Sequence, residues 1–475
     1  MKILFSWLKD YVDIDVKAQE LEDKLFGAGF EVEETIYLGK DIEKVVVGEV
    51  TSIEKYEGTH LCICHVNCGE FGADNVILTG ADNVFKGAKV PAAVVGAKLP
   101  GGIEIAPRKM ADMMSYGMLC SGEELGVDEN WIKGAEVHGI LILPEDANVG
   151  EDIKTALGLD DYVFDISITA NRPDCQSVLG IAREVAAFLG KPLKEPDYSY
   201  DCTDRTASET TITVEAPDVC PRYLGHYVYD VKHFESPQWM KRRLSVCGFS
   251  SIDAIVDVTN YVLLEIGQPM HAFDMDTLDG RSIIVRRAKD GEKLTTLDEK
   301  ERLLTPDNLL ICDKVKAVGL AGVMGGLNSE IKPTTTEVLF ECAKFRRDNV
   351  RKTARALAAA RYEKGVDEYG VERGMARALN LVQTLGIAAV GATHIDVNAG
   401  EDANRTVFDV TVSKINSVLG IEVPQEDIVR ILKSLQFGVA ENGETLTVTV
   451  PRWRTDVEHY QDIAEEVIRE YGYSH

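Results

Sequence analysis

The residues from Val256 to Asp274 have the types and spacing of a binding or catalytic pocket. An apolar run with strand character passes into a Gly-Gln-Pro turn at residues 267–269, and His271 follows shortly after it. We expect this turn to hold an imidazole, a carboxamide and a carboxylate near one point. Such a cluster predicts a functional site, with a purely structural histidine as the alternative.

A second group of chemically capable residues lies near the end of the sequence. Asp462, Glu465 and Glu466 stand at positions i, i+3 and i+4 of a predicted helix, so they share one face. Like charges at this spacing repel, and we expect a hard cation with oxygen ligands to compensate them, with Asp456 completing the cluster. The alternative is an acidic first turn favoured by the helix dipole, but Glu465 and Glu466 lie too far into the helix for that.

The composition is that of a globular protein with several domains. A chain of 475 residues, 45% of them hydrophobic, fits three or four domains of roughly 100 to 200 residues each. No apolar run approaches the roughly 20 residues of a membrane span, and Lys9 and Asp10 interrupt any signal region, so we expect a cytoplasmic address. The 10 cysteines are too sparse for a disulfide scaffold, and the cluster at Cys62–Cys68 lacks the usual zinc spacing, which favours a strand with buried thiols.

The net charge of −27 argues against a nucleic-acid partner, because binding to phosphates requires clustered Lys and Arg. Global charge decides little in a multidomain chain, so any RNA contact should be local to the basic runs. These runs are Lys241–Arg243, Arg286–Arg287, and Lys344 to Arg347 followed by Arg351, Lys352 and Arg355. Solvated helix faces are the alternative for each run.

An internal repeat links the two ends of the chain. Residues 11–32 and 418–439 align without a gap. The matching apolar pairs are Ile14/Ile421, Val16/Val423, Leu21/Ile428, Leu25/Leu432, Phe30/Phe437 and Val32/Val439. In both copies apolar residues recur at helical spacing before a turn and a strand, so we expect a small helix-rich domain at each end.

Between these ends the pattern changes. Residues 41–150 contain short, evenly spaced strands separated by glycines, which predicts a small barrel. This segment has 8 Lys plus Arg against 17 Asp plus Glu, so we expect no tight RNA binding by the barrel alone. Residues 164–188 have the pattern of a strand, an Asn-Arg-Pro-Asp turn and a helix, and 191–208 is the expected linker.

Several motifs together resemble one known family. Besides residues 256–274, they are Gly319-Leu-Ala-Gly-Val-Met-Gly-Gly326, Val338-Leu-Phe-Glu-Cys342, Tyr116-Gly-Met-Leu-Cys-Ser121 and Asn171-Arg-Pro-Asp174. Because of these motifs, the chain resembles the N-terminal portion of the bacterial phenylalanyl-tRNA synthetase beta subunit. The resemblance implies a multidomain α+β fold. Its parts are a split helix-rich domain (1–40 and 151–200), an inserted OB-fold barrel of the tRNA-binding type (41–150), a mixed α/β editing domain (201–400) and a winged-helix-like, helix-rich domain (401–475).

The resemblance also implies a pocket that hydrolyses tyrosine from tRNA charged by mistake. The carboxylate of Glu341 would bind the tyrosine hydroxyl and would stay unpaired with phenylalanine, at a cost of about 1–3 kcal/mol. His271 and Asn260 match other pocket residues of the family. Gly322 and Gly325 match the pocket floor, where glycine lets backbone amides approach the substrate.

By the same resemblance, Asp456, Asp462, Glu465 and Glu466 form a Mg²⁺ site shared with an alpha subunit. The implied partners are that alpha subunit, in a heterotetramer, and tRNA, with no membrane. Synthesis of phenylalanyl-tRNA would take place on the alpha subunit. The holoenzyme would use ATP, but no nucleotide motif appears in this chain, since Gly319–Gly326 lacks the ending of a phosphate loop.

Two alternatives stay open. Glu341 can be a strand-end glutamate paired with Lys344 or Arg346. The whole chain can be a noncatalytic RNA-binding or assembly module with the same architecture that has lost editing. The acidic barrel favours this second interpretation. Residues 357–361 also favour the noncatalytic interpretation, because the threonine-containing segment typical of the family has no counterpart there.

Overall fold

The computed structural model describes residues 1–356, 370–399 and 405–472. The α-helices in these ranges are α1 (Phe5–Tyr11), α2 (Ala18–Gly27), α3 (Ile153–Leu157), α4 (Val178–Leu189), α5 (Gln238–Val246), α6 (Ala254–Ile266), α7 (Arg347–Ala356), α8 (Gly370–Thr384), α9 (Val412–Leu419), α10 (Gln425–Ser434) and α11 (Tyr460–Tyr471).

The strands in the first part of the chain are β1 (Lys2–Leu4), β2 (Glu31–Tyr37), β3 (Glu43–Lys55), β4 (Cys62–Asn67), β5 (Asn75–Thr79), β6 (Lys89–Leu99), β7 (Ile103–Glu104), β8 (Arg108–Met110), β9 (Met113–Ser115), β10 (Gly117–Leu119) and β11 (Tyr162–Ser167). Those that follow are β12 (Thr211–Val214), β13 (Arg222–Tyr229), β14 (Met270–Asp274), β15 (Ser282–Arg287), β16 (Lys293–Thr295), β17 (Glu301–Leu303), β18 (Leu309–Cys312), β19 (Ala317–Leu320), β20 (Met324–Gly325), β21 (Glu337–Lys344), β22 (Ala389–Asn398), β23 (Val407–Thr411), β24 (Gly438–Asn442) and β25 (Thr445–Thr449).

The segments on either side of the predicted barrel share one sheet. Strand β11 lies between β1 and β2, and both pairings are antiparallel. Helices α1, α2 and α4 bury apolar side chains, among them Trp7, Leu21 and Val185, in one common core with this sheet. Helix α4 begins where the Ser177 hydroxyl accepts a hydrogen bond from the Gly180 amide at 3.0 Å. Everything between β2 and β11 is therefore inserted into a hairpin.

The inserted segment folds around a six-stranded sheet in the order β10-β6-β3-β4-β5, with β7 paired to β6. Alternation along β3 supplies two cores, because successive side chains of a strand point to opposite faces. Val45 and Val47 belong to one buried cluster, and Val46 and Val50 belong to the other. Cys64 is buried in the second cluster as a free thiol.

The strand expected within residues 256–264 is wrong, because Ala254–Ile266 forms helix α6. The Asp253 side chain caps this helix by accepting from the Ile255 amide, and Gly267 ends it in the left-handed conformation. Residues Ile255, Val258 and Val262 recur at helical spacing and are fully buried. Burial against neighbouring helices overrides the strand propensity of the valines and isoleucines in this run.

The middle of the chain combines two sheets with helices. One sheet has the order β14-β21-β13-β22, and the other has the order β12-β15-β18-β19-β20. Helices α6 and α8 contact each other, and α8 also lies against β21 and β22. The observed architecture is a mixed α+β fold of several units, and the expected boundaries between these units stay a prediction.

The C-terminal unit repeats the N-terminal unit more completely than the sequence predicted. Both contain a strand, two helices, two strands and a final helix, and their sheets have the equivalent orders β1-β11-β2 and β23-β25-β24. In the second copy, β24 and β25 are joined by a two-residue hairpin turn containing Gly443, whose φ is 63°. The inserted segment occupies the place of this turn in the first copy.

The repeat includes a buried ionic motif. In the first copy Arg172 contacts Asp174 at 2.8 Å and Glu184 at 2.6 Å. In the second copy, at the same sequence spacing, Arg454 contacts Asp456 at 2.8 Å and Glu466 at 2.6 Å. Both motifs satisfy buried carboxylates with a planar guanidinium group, which presents several donors at fixed geometry.

Arg469 joins the two motifs. It lies 2.6 Å from Glu184 of the first unit and 2.7 Å from Glu466 of its own unit, and it donates to the Ala28 carbonyl at 3.1 Å. Its side chain is only 7% exposed. The first and last units of the chain therefore meet through a network of buried charges.

In the described residues, the structure has no helix with the length and apolar character that crossing a membrane requires.

We predict that Arg469→Met lowers the free energy of unfolding by about 3–5 kcal/mol, because it leaves Glu184 and Glu466 buried with one cation fewer. Arg430→Met is the matched control, since Arg430 is exposed and its pair with Asp427 lies at the surface. The control should cost no more than about 1 kcal/mol. Urea unfolding measures both variants, and equal losses would contradict a role for Arg469 in joining the units.

Candidate functional site

A cavity of about 280 Å³ lies in the middle unit and brings together all five residues that were predicted for the editing pocket. They are Asn260, His271, Gly322, Gly325 and Glu341. Its remaining lining is mostly apolar and includes Phe273, Leu297 and Met324. A concave, largely apolar site with a few convergent polar groups is the usual form of a small-molecule pocket.

Strand pairing explains why the two ionisable side chains meet. Strands β14 and β21 are antiparallel, and His271 is the direct cross-strand partner of Glu341. Directly opposed residues of an antiparallel pair place their side chains on the same face of the sheet. Asn260 reaches the cavity from helix α6, and Gly325 reaches it from β20.

Glu341 is almost completely buried, with 6% of its surface exposed. Burial raises the pKa of its carboxyl group to about 8, and the hydrogen bond from the Tyr223 hydroxyl to Oε2, at 3.0 Å, opposes that shift only in part. The alternative of a surface pair with Lys344 or Arg346 is not observed, because Glu341 is buried and its hydrogen bond comes from Tyr223. Lys344, three positions along the strand, points to the opposite face. Glu341 is thus a protonatable group held inside an apolar cavity.

His271 is shifted in the opposite sense by the same cause. Burial lowers the pKa of its imidazole to about 4, so the ring is neutral at pH 7. The Phe273 ring packs edge-on against it at 4.4 Å between centroids. The Nε2 atom of His271 is buried and has no hydrogen-bond partner among the described residues. A buried polar atom without a partner is costly, and a ligand in this cavity would satisfy it.

The two glycines give the cavity its space. A β-carbon at Gly325 would lie 2.6 Å from Cε1 of His271, and one at Gly322 would lie 2.9 Å from Val350. Gly322 also has a φ of 67°, which side chains rarely adopt. Glycine is therefore required at both positions for the histidine and the cavity wall to pack as they do.

Two polar groups of the run 256–274 do not lie where the sequence suggested. Asp274 is buried outside the cavity and accepts a hydrogen bond from the Thr335 hydroxyl at 2.7 Å. Gln268 donates to the Ala343 carbonyl at 3.2 Å, so its amide fixes the turn against β21. The carboxyl groups that line the cavity, Glu341 of β21 and Glu330, come from outside this run.

Tyr223 is a pocket-supporting residue that sequence analysis missed. It lies on β13, pairs across the sheet with Ala343 and orients Glu341 through its hydroxyl. Within an apolar strand rich in tyrosine, nothing in the local pattern distinguishes it from a core residue.

The predicted cluster of Asp456, Asp462, Glu465 and Glu466 is not gathered around one point. Among described His, Cys, Asp and Glu side chains, a different set has three ligand atoms within 4.8 Å of one another, and that set is Asp174, Cys175 and Glu184. Arg172 donates to all three of these side chains, so a guanidinium group already occupies the place of a cation.

The charges of the C-terminal acidic residues are compensated in other ways. Asp456 and Glu466 both accept from Arg454. Asp462 accepts from the amides of Glu458 and His459, at 2.9 and 2.7 Å, in a capping box at the start of α11. Glu465 is exposed. As arranged here, these residues do not fit a closed Mg²⁺ site. The sequence analysis missed the reason, because Arg454 lies in the loop before the helix.

We predict that Glu341→Gln makes the protein progressively more stable than the native chain as the pH rises. A carboxyl group with a pKa raised to about 8 binds its proton more tightly in the folded state, so native stability falls between about pH 4.5 and pH 8. The difference in the free energy of unfolding should grow by about 1.4 kcal/mol per pH unit in that range. Glu465→Gln is the exposed control, and parallel curves for both variants would contradict a neutral buried Glu341.

Comparisons with known proteins find sequence matches over the whole chain. Family models match residues 45–152 (a putative tRNA binding domain), 219–386 (a B3/4 domain) and 408–473 (a tRNA synthetase B5 domain). The phenylalanine–tRNA ligase beta subunits of Clostridium tetani and Carboxydothermus hydrogenoformans are 41% and 43% identical to it over 481 residues. The matches cover 100% of this chain, which spans 60% and 59% of those relatives.

A crystal structure of an N-terminal fragment of the phenylalanyl-tRNA synthetase beta subunit from Pyrococcus horikoshii aligns with 66% of this chain and 88% of its own. The TM-score is 0.37 and the identity is 17%, so this alignment adds nothing to the sequence matches. On the identities with the bacterial relatives, over its full length, the chain belongs to the family of phenylalanine–tRNA ligase beta subunits.

Proposed function

We propose that this chain is part of a phenylalanine–tRNA ligase and that its cavity hydrolyses tyrosine from mischarged tRNA. The synthetic reaction, with ATP and Mg²⁺, would belong to the holoenzyme and would take place on an alpha subunit. The observation that carries the proposal is Glu341, a buried acid in an apolar cavity opposite the Nε2 atom of His271. In the part of the chain that the structure describes, no cation lies beside Glu341 and this nitrogen has no hydrogen-bond partner.

Glu341 would select tyrosine through its phenol. Tyr223 occupies Oε2, which leaves Oε1 for the substrate hydroxyl. Because the pKa of Glu341 is raised to about 8, the acid is mostly protonated at pH 7 and can donate as well as accept. Phenylalanine would leave the group unpaired, and a site built to bind a hydroxyl rejects a substrate that lacks one.

His271 would orient the ester. Its neutral ring can accept a hydrogen bond at Nε2 from a water molecule or from the terminal ribose. Asn260 would supply a second polar contact from the opposite wall. The glycines at 322 and 325 would let the backbone approach the substrate where a side chain would clash.

The surrounding units would present tRNA to this cavity. We propose the OB-fold for residues 41–150, an editing domain for 201–400, and helix-rich domains for 1–40 with 151–200 and for 401–475, the last of these winged-helix-like. An alpha subunit is supported as a partner because the relatives are beta subunits, and tRNA is supported by the match to a putative tRNA binding domain. We propose that the assembly is a heterotetramer in the cytoplasm.

The alternative is a noncatalytic RNA-binding or assembly module. The excess of acidic residues in the inserted segment favours it, as does the missing threonine segment at 357–361, which lies outside the described residues. An ester-hydrolysis assay decides between the two. The chain is incubated with the phenylalanine-accepting tRNA charged either with tyrosine or with phenylalanine, and loss of each ester is followed over time. Loss of neither ester would favour the noncatalytic module.

We predict that Glu341→Ala slows hydrolysis of the tyrosyl ester about 10- to 100-fold, because a hydrogen bond worth about 1–3 kcal/mol is lost. Single-turnover hydrolysis of tyrosyl-tRNA measures this effect. Urea unfolding at pH 7 serves as the control for folding. If Glu341→Ala lowers the free energy of unfolding by as much as it raises the activation free energy of hydrolysis, the role of Glu341 is structural.

We further predict that the chain alone binds Mg²⁺ weakly or not at all. Asp456 and Glu466 are already paired with Arg454, and of the four acidic residues proposed for the site only Glu465 is exposed. Isothermal calorimetry of the chain with and without an alpha subunit tests this. Glu465→Gln should loosen the assembly without unfolding the chain, whereas changing Glu466 would disturb the buried network. Tight binding of Mg²⁺ to the isolated chain would contradict the prediction.

A further inference from the structure

Helix α7 has a basic face that the proposed hydrolysis does not use. Its buried residues are Val350, Thr353 and Ala354. The exposed residues of its other side include Arg347, Arg351, Lys352 and Arg355, which we call the α7 basic face. In a chain with a net charge of −27, this concentration of exposed positive charge is unusual and needs an explanation.

In the other two basic runs, every residue except Arg242 forms an ion pair with a described residue. Arg243 donates to the Tyr261 hydroxyl at 2.8 Å and pairs with Asp10. Arg286 pairs with Glu292 at 2.7 Å, and Arg287 pairs with Asp218 at 2.5 Å. Those runs stabilise the fold. On α7, by contrast, Arg351, Lys352 and Arg355 form no ion pair with any other described residue.

The basic face leads into a second cavity. This cavity has a volume of about 390 Å³ and lies where the first, middle and last units meet. Its basic lining residues are Arg183, Lys344, Arg346, Arg347 and Arg373, and its acidic ones are Asp174 and Asp348. Asp174 is already neutralised by Arg172, and Arg373 pairs with Glu195. Basic residues outnumber acidic ones in the lining of the cavity.

An aromatic ring accompanies these charges. The guanidinium group of Arg183 lies 4.2 Å above the Trp453 ring, and Trp453 also lines the cavity. The Nε atom of Arg183 is buried and has no hydrogen-bond partner among the described residues. Basic grooves with aromatic side chains are the general form of sites for single-stranded nucleic acid, where bases stack and phosphates pair.

The second cavity adjoins the candidate editing pocket. Phe345 lines both cavities, and Val350, on the buried side of α7, lines the pocket as well. Positive charge therefore begins at the wall of the pocket that holds Glu341. An aminoacyl ester is carried on the end of a polyanion, so its carrier must pass close to this wall when the ester is bound.

We propose that the α7 basic face and the adjoining cavity bind the sugar–phosphate backbone of the single-stranded end of the RNA whose ester enters the pocket. The proposal rests on the proposed function for the identity of the ligand, but it concerns residues outside the pocket. RNA is favoured over an acidic peptide because the charges continue to the pocket wall and because the cavity contains Trp453.

The test compares two triple variants of the chain. The first is Arg351→Gln with Lys352→Gln and Arg355→Gln. The control is Lys414→Gln with Arg430→Gln and Lys433→Gln, which removes the same number of exposed charges from the last unit. Fluorescence anisotropy measures binding of an RNA hairpin that carries a four-nucleotide single-stranded 3′ end, from low to high salt.

The α7 variant should bind the hairpin about tenfold or more weakly at 0.1 M salt, and its slope of log K against log salt should be smaller by about 2, since each phosphate contact to a single strand contributes about 0.7. The control should match the native chain. Equal losses in both variants would overturn the proposal, and so would binding of polyglutamate that is tighter than RNA and lost in the α7 variant.

Hydrolysis provides a separate readout. With tyrosyl-tRNA as substrate, the fold increase in KM of the α7 variant should be at least ten times the fold decrease in kcat. The variant weakens binding of the tRNA and leaves Glu341 in place. If the native chain hydrolyses no ester but binds the hairpin through α7, the proposed function fails and the RNA site stands. If hydrolysis is unaffected by the α7 variant, the RNA site fails and the proposed function stands.

Discussion

Buried arginine–carboxylate contacts between the first and last units hold the arrangement of the chain. Removing charges from water costs several kcal/mol for each ion, and only well-formed hydrogen bonds repay that cost. Arg469 binds Glu184 and Glu466 at once, which fixes the last unit against the first. Trp453 and Arg183 meet because of this joint, so the basic cavity depends on it.

The pocket shows one environment acting in opposite directions on two groups. His271 and Glu341 face each other across two strands, yet burial raises the pKa of the acid and lowers that of the base. Each is mostly neutral at pH 7, so no ion pair forms between them. A site in which these two groups form no ion pair can distinguish substrates by a single hydroxyl, because its specificity rests on one hydrogen bond.

The internal repeat could be predicted from the sequence pattern, and the resemblance to a known family named five residues that the structure brings to one cavity. Sequence patterns alone did not assign those five residues. These patterns failed where long-range packing decides the structure. Residues 254–266 have strand propensity but form a helix between other helices. The acidic residues of α11 suggested a metal, because helical spacing shows repulsion within a helix and cannot show that Arg454 arrives from a preceding loop.

The place of the inserted segment follows from the repeat. In the last unit, Asn442 and Thr445 face each other across a two-residue turn, and in the first unit Tyr37 and Tyr162 face each other in the same position. To leave the strand pairing of the N-terminal unit intact, the inserted segment must begin and end about one strand spacing apart, roughly 4.8 Å. A segment of different length that meets this condition would leave the β1-β11-β2 sheet unchanged.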